Sequence, residues 1–126
     1  MLILIVDDAD DMRETTRILL ELEGHTVISA ENGATGVAAA EKRCPDVILM
    51  DFAMPVMDGL TATRTLRQLP GTRSVPIVAM SAYGAIKEWR DRALAAGMDE
   101  CLQKPCELDA LVAVLSRFAG HCGPPP

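Results

Sequence analysis

Five side chains in this sequence have types and settings that invite chemistry: Asp7, Asp8, Asp51, Ser81 and Lys104. Each follows closely on a short apolar run. Leu2–Val6 precedes the aspartate pair, Val47–Met50 precedes Asp51, Pro76–Met80 precedes Ser81, and Cys101–Gln103 precedes Lys104. A carboxylate placed behind four apolar residues, as Asp51 is, has no ready structural role. If these runs are neighbouring strands, the five side chains converge on one shallow cleft. Three carboxylates gathered there repel one another and raise one another's pKa values unless something offsets the charge. A divalent cation does this, and an all-oxygen site of carboxylates and water suits Mg²⁺. Lys104 offers a point charge for a phosphoryl oxygen, and the Ser81 hydroxyl can donate to another. An aspartate nucleophile, a metal, a cation and a hydroxyl are the parts for in-line phosphoryl transfer to a carboxylate.

The elements that must position these groups alternate regularly. Strands are expected at Leu2–Val6, Thr26–Ala30, Val47–Met50, Pro76–Met80 and Cys101–Gln103. The first and third are continuously apolar, as strands covered on both faces by helices are. Helices are expected over about Asp11–Glu23, Ala34–Arg43, Gly59–Leu69 and Ala85–Ala96, with a last one beginning near Glu107. In the first, Asp11 and Glu14 resemble a capping box, Met12, Thr16, Leu19 and Leu22 mark one face, and Gly24 ends it. Gly97 ends the fourth. Leu108, Leu111, Val112, Leu115 and Phe118 give the last helix its apolar stripe. Five βα units in succession imply a doubly wound (βα)5 fold, an α/β parallel sheet with helices on both faces and a flavodoxin-like strand order of 2-1-3-4-5. In such sheets the functional crevice lies beyond the carboxyl ends of the strands, where all five residues fall. The domain is expected to occupy residues 1–119, and the Gly/Pro-rich residues 120–126 read as a tail or the start of a linker.

Bulk properties narrow the class. The 126 residues fit one domain, and 49% hydrophobic content can build a core, although 3% aromatic content means a core of aliphatic residues and methionine. A net charge of −6 argues against direct nucleic-acid binding. No apolar run approaches the roughly 20 residues of a membrane span. The apolar start meets Asp7-Asp8 too soon for a signal peptide. Cys44, Cys101, Cys106 and Cys122 have no metal-ligand spacing and read as reduced thiols in a cytoplasmic protein.

These features together resemble the receiver domains of two-component response regulators, of CheY-like fold. The resemblance covers the chain to about Ala119. It rests on Ile5-Val6-Asp7-Asp8, on Val47 to Gly59 (VILMDFAMPVMDG), on Ala79-Met80-Ser81-Ala82, on Ala96-Gly97-Met98-Asp99, and on Lys104-Pro105. It implies that Asp51 is the phosphoacceptor. Asp8 and Asp51 would hold Mg²⁺ with the backbone carbonyl of Ala53, and Asp7 would act through water. Ser81 would sense the phosphate and Lys104 pair with it, the Lys104–Pro105 peptide being cis. The donor would be a phosphohistidine on a sensor histidine kinase or a histidine phosphotransfer protein. The partner face would be that of the fourth helix, fifth strand and fifth helix. Such a domain is no enzyme beyond its own phosphorylation and dephosphorylation. One departure stands out: where many receivers carry Tyr or Phe three residues before the lysine, this chain has Cys101, and Tyr83 is expected to take over part of that switching role.

Plainer roles compete at single positions. Asp7 and Asp8 would also serve as helix caps, but Asp10 and Asp11 stand nearer the helical pattern. Met50, Met54, Met57 and Met80 read as packing or loop residues, and Asn32-Gly33 as a turn. His25 and His121, away from the motifs, read as surface residues, so the chain is an acceptor and not a histidine donor. A haloacid-dehalogenase-like phosphatase would place its nucleophile on the first strand with a second Asp two residues on, whereas Asp51 follows the third and is trailed by Ala53. A nucleotide- or flavin-binding module would need a Gly-rich phosphate loop, and none is present. A degenerate receiver, serving only to bind partners, would lack some of the five site residues.

Overall fold

Successive side chains of a strand leave on opposite faces, so a strand apolar at every position must be covered on both sides. The computed structural model describes residues 1–51, 57–81, 86–103 and 108–118 and has that arrangement. In chain order its elements are β1 (Leu2–Val6), α1 (Asp10–Leu22), β2 (Thr26–Ala30), α2 (Gly33–Arg43), β3 (Val47–Asp51), α3 (Gly59–Gln68), β4 (Ile77–Ser81), α4 (Lys87–Ala96), β5 (Glu100–Gln103) and α5 (Leu108–Phe118). The strands pair in parallel in the order β2-β1-β3-β4-β5, as the sequence led one to expect.

Side-chain alternation splits the core in two. Ile3, Ile5, Val47, Leu49, Val78 and Met80 pack with Leu20 of α1 and Leu111, Val114 and Leu115 of α5. The alternate residues Leu4, Val6, Ile48, Met50, Ile77 and Ala79 pack with α2, α3 and α4 through residues such as Val37, Leu66 and Ala93. Each large aliphatic side chain so buried contributes about 1.5–3 kcal/mol. Trp89 of α4 is half-buried against this second cluster, and the Arg92 guanidinium lies 4.8 Å from its ring centroid. Among the described residues no helix is long and apolar enough to cross a membrane.

Three expectations are corrected. The Asp11–Glu14 capping box does not form: α1 starts at Asp10 behind an extended Ala9 with no side-chain cap. Glu14 instead pairs with Arg17, whose guanidinium holds the Glu14 carboxyl below its usual range. The inward face of α1 is also rotated. Met12 and Leu22 are exposed, and the inward stripe runs through Arg13, Thr16 and Leu20, Arg13 being drawn in by bonds described below. His25 is half-buried, its Nδ1 3.2 Å from the Met1 amino nitrogen.

Strand limits differ by a residue. β3 and β4 run on through Asp51 and Ser81, because backbone pairing (Asp51 with Met80, Ser81 with Gln103) is indifferent to side-chain polarity. The end of the sheet remote from Ser81 is tied by Arg67 of α3. Its guanidinium donates to the carbonyls of Gly97 (2.9 Å), Arg73 (2.9 Å) and Val75 (2.6 Å) and pairs with Asp99 (2.8 Å). Asp99 in turn accepts from the Ile77 amide at 2.8 Å. Gly97, at φ 111°, closes α4 in the left-handed conformation that favours glycine, whereas Cys44 closes α2 at φ 48° despite its Cβ.

Candidate functional site

The β1–β3 register pairs Val6 with Met50, so the next residues, Asp7 just past β1 and Asp51 at the last position of β3, stand side by side. On the neighbouring strand Ser81 stands one residue past Met80, the partner of Asp51. Asp7, Asp51 and Ser81 are buried at 7%, 8% and 3% exposure, while Asp8 faces solvent. An oxygen of each of Asp7, Asp8 and Asp51 lies within 4.8 Å of the others.

Local structure fixes this arrangement. The Asp7 amide donates to the Ala30 carbonyl at 3.1 Å, and its Oδ1 accepts from the Ala9 amide at 2.9 Å, turning the chain sharply after β1. Its carbonyl accepts from Arg13 Nη1 at 2.7 Å. Beyond β3, α3 is capped by Asp58, whose Oδ1 accepts from the Thr61 amide at 2.8 Å. The first residue of α3, Gly59, lies so close to the Asp51 carbonyl that a Cβ there would overlap it. Glycine therefore lets α3 begin directly under the site.

Mg²⁺ takes oxygen ligands at about 2.0–2.1 Å, so ligands on opposite sides of the ion stand about 4.2 Å apart. Three carboxylate oxygens within 4.8 Å are close to that span, and a water on one of them makes up the difference. The donor set fits a hard divalent cation. The structure thus brings together Asp7, Asp8 and Asp51, with Ser81 on the adjoining strand. Ala53, Lys104, the Lys104–Pro105 bond, Tyr83 and His121 lie outside the described residues. Arg13 was not singled out from the sequence. Its signal was a cation in the opening turns of a helix, where the dipole disfavours positive charge.

Comparison with known proteins agrees with this fold. The chain is similar to the protein PilH of Pseudomonas aeruginosa, at 36% identity over 116 residues, 90% of this chain and 93% of PilH. It is similar to part of the sensor histidine kinase RcsC of Salmonella typhi, at 38% identity over 94% of this chain but 12% of that protein. It superposes at a TM-score of 0.87 on the receiver domain of the sensor histidine kinase PA1611 from Pseudomonas aeruginosa. That structure holds a magnesium ion in its active site cleft, and the match has 36% identity and covers 94% of this chain and 97% of that one. Residues 3–116 match the response regulator receiver domain, and the chain belongs to that family. It is a signalling domain of two-component systems.

Proposed function

We propose that this chain is a Mg²⁺-dependent phosphoacceptor. Asp51 takes a phosphoryl group from a phosphohistidine on a sensor histidine kinase or histidine phosphotransfer protein, and the acyl phosphate switches partner interactions. The observation that carries this is the trio of Asp7, Asp8 and Asp51, whose oxygens lie within 4.8 Å of one another at the carboxyl ends of adjacent strands. The magnesium ion in the cleft of the PA1611 receiver supports it. Asp8, Asp51 and the Ala53 carbonyl would hold the ion, with Asp7 acting through water. When bound, the ion offsets the charge that carboxylates and phosphate bring together. Asp51 attacks phosphorus in line, the P–O bond forming as the P–N bond breaks. The imidazole departs with the electron pair and takes up a proton. The Ser81 hydroxyl donates to one phosphoryl oxygen, and Lys104 pairs with another. Beyond its own phosphorylation and hydrolysis the domain turns over no substrate. We assign residues 1–119 to this domain, 120–126 to a tail or linker, and the whole to the cytoplasm.

Incubation with acetyl phosphate and Mg²⁺ should add one phosphoryl group by intact mass, and none in Asp51→Asn or without metal. Undiminished labelling of Asp51→Asn would remove Asp51 from its role. For output we propose the α4–β5–α5 face, where Leu102, Ala110 and Val114 line an open groove of about 430 Å³ between β5 and α5. Half-buried Cys101 occupies the position of the aromatic switch there but lacks its bulk and ring, so Tyr83 takes over part of that role and the coupling is weaker. Amide shifts induced by a phosphoryl mimic should extend into Lys87–Ala96, and shifts confined to the cleft would contradict this.

A further inference from the structure

The connection between β1 and α1 is Asp7, Asp8 and Ala9, and two of these three residues belong to the acidic trio. Arg13 bridges the connection from outside. Its Nη1 donates to the Asp7 carbonyl at 2.7 Å, and its Nη2 meets the Asp10 carboxylate at 2.5 Å. The side chain is 18% exposed where Asp10 is 82% exposed, so the carboxylate reaches in from solvent to hold an inward-turned cation. Among the described residues Arg17, one turn on, binds only Glu14 and Glu21, on its own helix.

We propose that Arg13 is a positioning residue for the cation site: by holding the Asp7 carbonyl it sets the direction in which Asp8 meets Asp51. A peptide unit is planar from one Cα to the next, so fixing the Asp7 carbonyl fixes the plane that launches Asp8. The Asp10 carboxylate keeps the guanidinium in place. This rests on the reading of Asp7, Asp8 and Asp51 as a divalent-cation site. Arg13 also lines an open cavity of about 300 Å³ with Ser29, Ala30, Glu31 and Thr35. Truncating it enlarges a solvent-filled hollow and leaves no void in the core, so the variant should fold.

Electrostatics and positioning predict opposite signs. A cation merely near a cation site repels Mg²⁺, and its removal would tighten binding. Loss of a group that orients a ligand weakens binding, about tenfold at the lower end for such partners. The test is Mg²⁺ affinity by isothermal titration calorimetry on the full chain. Arg13→Ala should weaken binding about tenfold, Arg13→Lys should recover part of the loss, and Arg17→Ala should match the parent. Equal or tighter binding by Arg13→Ala overturns the proposal. If circular dichroism shows Arg13→Ala unfolded, Arg13→Met, which keeps the bulk of the stem and has no donor, decides on the same criterion, weaker binding supporting the role and equal or tighter binding overturning it. A parent chain that binds no Mg²⁺, or binds it undiminished in Asp8→Ala, overturns the cation-site reading itself. Loss in Asp8→Ala with none in Arg13→Ala overturns only the role of Arg13.

Discussion

Three carboxylates with oxygens within 4.8 Å of one another repel, that mutual repulsion works against the fold, and neutralising one should relieve it. Asp51→Asn makes this change with little alteration of shape. Each of its two acidic neighbours has an oxygen no farther than 4.8 Å away. At that distance even the dielectric of water leaves a repulsion of about 0.9 kcal/mol per pair, and an effective dielectric of 20 gives about four times as much. Asp8 is exposed, so the aqueous value suits its pair, while Asp7 is buried and for it that value is a floor. Asp51→Asn should therefore be stabler by about 2 kcal/mol or more at low ionic strength. Screening at 0.15 M salt should cut the gain by about half. For a chain of 126 residues, about 2 kcal/mol raises Tm by about 6–8 °C. The assay is calorimetric or circular-dichroism melting at pH 7 in dilute buffer with EDTA. Adding Mg²⁺ at tenfold excess over its Kd should lift the parent by about 1.4 kcal/mol, and the variant far less. A variant that melts below the parent in EDTA, or gains as much from Mg²⁺, would show that the three carboxylates do not share one field.

Other expectations follow from single contacts. Gly59→Ala forces a Cβ onto the Asp51 carbonyl and should cost about 1–3 kcal/mol while weakening Mg²⁺ binding; an unchanged melt and affinity would show that α3 gives way freely. Arg67→Met strips donors from three carbonyls and the partner from Asp99. Partial exposure moderates the loss to about 3 kcal/mol, which should lower the urea midpoint by about 2 M at a slope of about 1.5 kcal/mol/M. Mg²⁺ affinity should hold, since Ile77 and Ser81 lie at opposite ends of β4, about 13 Å apart at 3.3 Å per residue; a midpoint shift below about 0.3 M would contradict this. Cys44→Gly relieves the left-handed strain at φ 48° and should raise stability by about 0.5–1 kcal/mol, seen as a higher Tm; a lower Tm would place the strain elsewhere.

The alternation of apolar runs and helical stretches was legible because each central strand is buried on both faces, leaving no polar position to blur Leu2–Val6 or Val47–Met50. The acidic trio was legible for the same reason, since a carboxylate at the end of such a run is conspicuous. What escaped the reading depends on partners distant in the chain or on backbone geometry. Arg67 donates to carbonyls up to 30 residues away, and a carbonyl has no letter in a sequence. The rotation of α1 was hidden because Leu19, Leu20 and Leu22 all suit an inward face, and the choice of Leu20 shows only in its packing with Ile3, Ile5 and Leu115, residues distant in the chain. The left-handed Cys44 runs against residue preference, so nothing local announces it. Strand ends were placed a residue early because Asp51 and Ser81 read as loop chemistry, while the ladder ignores what their side chains carry.

Trp89, set against the α2–α4 side of the core with Arg92 over its ring, has an optical consequence. It is the only tryptophan, so light absorbed at the red edge of the aromatic band is emitted from α4 alone. Its ring is neither sealed in the core nor free in solvent, and a small displacement of the helix exchanges aliphatic neighbours and a guanidinium for water, shifting the emission colour. The wild-type chain thus carries a built-in fluorophore, and stopped-flow mixing can time the movement of one helix with no dye attached.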